Sequence, residues 1–254
     1  MERAMADVQF DIVDDPAALA AAAARAILTR AQAAAQAQGR FTIALSGGST
    51  PRAIYQQLAQ PELSAQMPWA QTYVFWSDER AVPLDDQRSN YRMASEALLS
   101  QVPLPKENIK PMLSQGADLA AAAQHYERVI RGIVPGEPPR FDLVLLGMGP
   151  DGHTASLFPH SPQLAVTDTL VTATPPAPLE PHVPRLTFTS TLINAAAEVL
   201  FIVAGADKAG RLHEVIEGPR QTEALPSQLV QPTSGALRWM LDRAAAQQLT
   251  VGHG

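Results

Sequence analysis

Several apolar runs in this chain are too continuous to belong to half-exposed strands, and most give way to a helical pattern. "RFTIALSG" (40–47), "QTYVFWSD" (71–78), "RFDLVLLG" (140–147) and "EVLFIVAG" (198–205) are apolar at almost every position. A strand with one wet face alternates. A strand without a polar face must be covered on both sides, as in a parallel sheet held between layers of helices. "LVTAT" (170–174) and "PRLTFTS" (184–190) add two more strand-like runs.

The intervening segments carry helical signals. Residues 15–39 open with Asp15 as N-cap and Pro16 at the first helical position, and close at Gly39. Further helices are expected over 50–60, 89–100, 117–133, 206–218 and 234–249. Strand–helix alternation along the whole length predicts an α/β fold of three layers, with a mostly parallel central sheet flanked by helices. The Pro-rich stretches "IVPGEPPR" and "TATPPAPLEPHVP" read as loops, since the alternation resumes after each. One domain spanning 1–254 is expected.

Composition narrows the function classes. A formal net charge of -6 argues against a nucleic-acid partner, which needs a basic face. No apolar run approaches the roughly 18 residues of a membrane span, and the first residues lack the apolar core of a signal peptide. With 0 Cys there is no thiolate nucleophile and no Cys-based metal site, and a cytoplasmic location is expected. The 6 histidines show no paired metal spacing, so no metal is expected. Nothing in the sequence sets an oligomeric state.

Ligands of open α/β sheets bind beyond the carboxyl ends of the strands, so the segments after the strands are the candidates. After the first comes "SGGSTP". Gly47 and Gly48 allow close backbone approach, Ser49 and Thr50 offer hydroxyls, and a helix N-terminus follows. The segment can hold an anion or serve as a plain capping turn. After the second strand come Asp78, Glu79 and Arg80; Arg80 can bind a phosphate or carbonyl oxygen, or pair with its acidic neighbours. Ser89 or Asn90 is a candidate N-cap, and Arg88 and Arg92 are expected to be solvated.

"LLGMGPDGHTASLFP" (145–159) formally matches G-x-G-x-x-G at Gly147, Gly149 and Gly152. Pro150 interrupts the loop, and prolines at 159 and 162 forbid the long helix a dinucleotide site requires, so the match is a decoy. What remains is Asp151 and His153 on a turn with little side-chain bulk. A histidine's ordinary pKa of about 6.5 suits a general base at neutral pH. The alternative is a capped turn without chemistry. Lys208, in the first turn of a later helix, opposes the helix dipole and makes more sense beside an anion, unless it is merely solvated.

Taken together, "ALSGGSTP", "WSDERAVPLDDQRSNY", "LLGMGPDGHTASLFP", "RLTFTSTLINAA" and "FIVAGADKA" resemble, in order and spacing, the 6-phosphogluconolactonases of the oxidative pentose phosphate pathway. The likeness covers about residues 41–210, and "LPSQLVQPTSGALRWMLDRAA" is similar to that family's ending. The resemblance implies a Rossmann-like fold shared with glucosamine-6-phosphate deaminases and ribose-5-phosphate isomerases. It implies a cofactor-free lactone hydrolase acting on a small sugar-phosphate lactone. His153 would be the general base and Asp151 and Arg80 its companions, with the Gly47–Thr50 loop and Lys208 engaging substrate. Two rivals are a deaminase or isomerase on the same scaffold and a non-catalytic sugar-phosphate sensor. Deaminases usually continue past the histidine into Asn-Glu-Pro, where this chain has "LFPHSP". A sensor needs a DNA-binding element, whereas the first 40 residues form one Ala-rich helical segment with few basic side chains.

Overall fold

The computed structural model describes residues 8–112 and 118–251. It begins β1 (Val8–Val13), α1 (Pro16–Gln38), β2 (Phe41–Leu45), α2 (Ser49–Leu58), α3 (Pro61–Ser64), β3 (Thr72–Trp76) and β4 (Asp78–Arg80). Then follow α4 (Asn90–Ala94), α5 (Leu119–Ile133), β5 (Leu143–Leu146), β6 (Val171–Thr174), β7 (Arg185–Phe188) and α6 (Ser190–Asn194). β8 (Glu198–Val203), α7 (Ala209–Ile216), β9 (Ala236–Asp242) and α8 (Arg243–Ala246) complete it. Ala117, where the sequence pattern opens the α5 helix, lies outside the described residues, as do 1–7 and 252–254. No described helix is long and apolar enough to cross a membrane.

Six strands form a parallel sheet in the order β1-β9-β8-β5-β2-β3. Its inner members β2 and β5 are buried at every position, as the continuous apolar runs require. Helix α1 starts and stops where the sequence places its caps. The Asp15 carboxylate accepts the Ala18 N–H at 2.8 Å, and Gly39 takes the left-handed conformation, φ 74°. Its buried Leu19, Ala23, Ile27 and Ala31 recur at helical spacing and face the core. Small side chains there let the helix lie close to the sheet. The buried Asp142 carboxylate joins the N-terminal ends of β2 and β5 by accepting the Thr42 N–H and hydroxyl, both at 2.8 Å.

Three expectations need correction. Residues 234–249 are not one helix: Ala236–Asp242 is β9, and only Arg243–Ala246 is helical. Leu, Met and Ala in "ALRWMLD" are good helix formers. The slot between β1 and β8 overrides that preference by pairing the segment on both edges. The first 40 residues are not one helical segment: Val8–Val13 is the edge strand beside β9. The strand-like runs at 170–174 and 184–190 leave the parallel sheet. They form an antiparallel three-stranded sheet, β4-β7-β6, with the short strand that follows β3. This second sheet carries Asp78, Arg80 and Arg185 to the carboxyl end of the main one.

Candidate active site

A cavity of about 150 Å³ opens beyond the carboxyl ends of β2 and β5. That is below the ~300 Å³ at the low end of drug-sized pockets and suits a small ligand. Gly47 and Gly48 line it after β2, Asp78 and Arg80 from β4, and Asn90 from the start of α4. Gly149 and His153 come from the turn after β5, and Arg185 from β7. The residues are far apart in sequence and meet because parallel strands discharge their loops at one end.

The turn after β5 is closed by its own backbone: the Gly149 N–H donates to the His153 carbonyl at 2.8 Å and the Gly152 N–H to the Gly149 carbonyl at 3.1 Å. Gly152 has φ +84°, which only glycine takes without strain, and Ser227 donates both its N–H and its hydroxyl to the Gly152 carbonyl. No long helix follows, so the dinucleotide pattern is indeed a decoy. The His153 side chain is 18% exposed, and its Nδ1 lies 2.5 Å from the Asp151 carboxylate, which also accepts the His153 backbone N–H. Nδ1–H donating to that carboxylate leaves the Nε2 lone pair as the free basic site. Burial works to raise the Asp151 pKa, but the hydrogen bond and charge of the imidazole outweigh it and hold the carboxyl below its usual range. Gly149 is what makes room for the ring: a Cβ there would lie 2.0 Å from His153 Nδ1.

The opposite wall is cationic. α2 begins at the cavity with Gly48 as N-cap and no capping side chain, so its first N–H groups are available to an anion. The Tyr55 hydroxyl anchors the loop by donating to the Ser46 carbonyl and accepting the Ser46 N–H. Arg80 Nη1 donates to the Arg88 carbonyl at 2.6 Å. Arg185 is only 5% exposed, its Nη1 3.8 Å from an Asp78 carboxylate oxygen. Burial, together with the nearby charge of Arg80, pulls the Arg185 pKa down against the pull of Asp78. Both arginines leave a buried Nε–H without an acceptor. Buried donors of this kind call for a partner, and two guanidinium groups beside a helix N-terminus call for an anion.

Glu79 does not pair with the Arg80 guanidinium. It is 2% exposed, and its two oxygens accept the backbone N–H groups of Arg80, Asn90 and Tyr91 and the Ser89 hydroxyl at 2.7–3.0 Å. Burial pushes its pKa up even so. This cap fixes the start of α4, where Ser89 is the N-cap, and with it the Asn90 amide, which donates to the Asp78 carbonyl at 3.0 Å. Asp78 accepts the Ser156 hydroxyl at 2.6 Å.

Of the residues singled out from sequence, His153, Arg80, Gly47 and Gly48 line the cavity, and Asp151 stands beside the imidazole. Ser49 and Thr50 form the first turn of α2, outside the lining. Lys208 also stands outside it, its ammonium 3.7 Å from Asp207. Arg88 and Arg92 point to solvent, paired with Asp86 and Glu96. Asp78 and Asn90, read from sequence only as a strand-end acid and a candidate N-cap, line the cavity too, and so does Arg185, which was missed. No local signal marked Arg185: in the strand RLTF it alternates with Leu186 and shares a face with Thr187, the pattern of a half-exposed strand.

A layered α/β frame with a His–Asp turn and two arginines at the strand ends is the architecture of an enzyme for a small anionic ligand. Residues 14–239 match the model of the glucosamine-6-phosphate isomerases/6-phosphogluconolactonase family, and the chain belongs to that family. A 6-phosphogluconolactonase of Nostoc sp. is 44% identical over 244 residues, covering 95% of this chain and 98% of that protein. One from Mycobacterium tuberculosis is 37% identical over 251 residues, covering 94% and 98%. Among solved structures, 6-phosphogluconolactonase from Trypanosoma cruzi superposes with a TM-score of 0.85 at 30% identity, over 98% of this chain and 100% of that one. A monomeric glucosamine-6-phosphate deaminase, at 18% identity and a TM-score of 0.80 over 95% of this chain and 100% of that one, shares the fold.

Proposed function

We propose that this chain is a 6-phosphogluconolactonase, a carboxylic ester hydrolase that opens 6-phospho-D-glucono-1,5-lactone to 6-phosphogluconate. The observation that carries the reading is that one cavity is lined by the Asp151-supported His153 and by two arginines, Arg80 and Arg185. A lactone is an activated ester, so no covalent enzyme intermediate is required. Neutral His153 takes a proton from water at Nε2 as the water oxygen bonds to C1. When the C1–ring oxygen bond breaks, the imidazolium returns that proton to the departing alkoxide. Assistance of this kind contributes roughly 10²–10⁴-fold. Asp151 keeps Nδ1 protonated and balances the imidazolium charge.

Arg185 and the N–H groups of the Gly47–Thr50 loop hold the phosphate, while Arg80 faces the charge growing on the carbonyl oxygen. Phosphate binding orients the lactone without touching the bond that breaks. We further propose that 1–254 acts as one domain, in the cytoplasm, with a free small-molecule substrate.

Acid release from freshly prepared 6-phosphogluconolactone, run beside ammonia release from glucosamine 6-phosphate, tests the reading. Acid release alone is expected. Ammonia release, or neither, would overturn it. His153→Asn should lower kcat at least 100-fold with KM changed less than threefold.

A further inference from the structure

Phe158 is buried, 4% exposed, yet it stands outside the continuous hydrophobic core that includes its neighbour Leu157. Two polar groups pack against it. The His153 ring lies at a centroid distance of 4.6 Å and a tilt of 41°. The Arg185 guanidinium carbon lies 5.3 Å from the same ring's centroid. An aromatic face attracts a guanidinium, and the more so when both are desolvated.

The path that delivers this ring is held at several points. Leu157 N–H donates to the Thr154 carbonyl, closing a tight turn in which Ala155 takes φ 47°, a conformation uncommon for a residue with a Cβ. Ser156 ties the turn to both neighbours: its hydroxyl donates to Asp78 and its N–H to the Thr187 hydroxyl on β7, the strand that also carries Arg185. The ring is therefore fixed relative to the histidine through the chain and to the arginine through the sheet.

Building on the lactonase reading, we propose that Phe158 is a positioning residue that sets the general base and the anion-binding arginine in register. It acts through His153 on kcat and through Arg185 on substrate and product affinity. One ring thus couples two groups that face opposite ends of the ligand.

The test is steady-state kinetics with 6-phosphogluconolactone, plus the competitive inhibition constant of 6-phosphogluconate. It compares Phe158→Met, which keeps volume but loses the flat face, with Phe158→Tyr, which keeps it. The Met variant is expected to lose about tenfold in kcat and to raise the inhibition constant about tenfold, while Tyr stays within threefold of the parent on both. In an Arg185→Gln background, Phe158→Met should still lower kcat tenfold but leave the inhibition constant within twofold of the Arg185→Gln value. Met and Tyr behaving alike, or an undiminished inhibition effect in the Arg185→Gln background, would reduce Phe158 to packing and overturn the inference. An active parent with unchanged variants defeats only this inference, whereas a parent inactive on the lactone defeats the lactonase reading and this one together. Should the Met variant fail to fold, Phe158→Leu takes its place in the same comparison.

Discussion

Gly149→Ala perturbs the site by a single methyl group. The added Cβ would lie 2.0 Å from His153 Nδ1, 2.1 Å from Cε1 and 2.8 Å from an Asp151 carboxylate oxygen. Ordinary carbon contacts begin near ~3.5 Å, so the imidazole must retreat by about 1.5 Å or the Asp151 contact must open. Gly149 is not among the positive-φ glycines, so alanine meets no backbone penalty there. The ring is partly exposed and can move into the cavity, which limits the stability cost to the ~1–3 kcal/mol of a mild overpacking. Catalysis has no such relief. Misplacing a reacting group by ~1 Å costs on the order of 10²-fold, so kcat should fall about 100-fold. Acid release from 6-phosphogluconolactone measures the rate, inhibition by 6-phosphogluconate reports the anion end, and a thermal melt reports folding. The inhibition constant should stay within threefold of the parent. A folded variant with kcat within threefold of the parent would show that the imidazole is not used where it stands.

Two further substitutions probe the supports of the site. Glu79→Gln replaces a buried acceptor of four donors by a group that must turn N–H toward some of them. Charge-assisted hydrogen bonds are worth about 1.5–3 kcal/mol each, so a loss of roughly 3 kcal/mol is expected, read as a drop in Tm of about 6–12 °C; an unchanged Tm would mean that Glu79 is not the cap of α4. Asp151→Asn removes a carboxylate whose folded pKa is depressed. The stability that Asp151 contributes is present above its unfolded pKa of ~3.9 and is lost as pH falls through the lower folded value. The Tm gap between parent and Asp151→Asn should therefore be present above ~pH 4 and narrow on acidification below it. A gap that widens in acid contradicts the sign.

Much of the frame was legible because burial on both faces leaves a mark in the residues themselves. The runs around Ile43, Val74, Val144 and Leu200 had to be covered strands, and Asp15, Pro16 and Gly39 marked the ends of α1. The turn at 149–153 was legible for a related reason. Glycines beside an acid and an imidazole at a strand end have few uses. The misreadings share a cause as well. The residues of β9 suit a helix locally, and only the vacant slot between β1 and β8 makes them a strand.

The amino-acid sequence alone thus determined the layered α/β frame, the glycine turns and the identity of the histidine–aspartate pair, since these rest on burial periodicity and local backbone geometry. Tertiary structure decided which cations meet the histidine. Arg185 enters the cavity because the β4-β7-β6 sheet brings β7 to it, whereas Lys208 stands outside the lining. That juxtaposition depends on strand pairing over more than a hundred residues, and no local pattern encodes it.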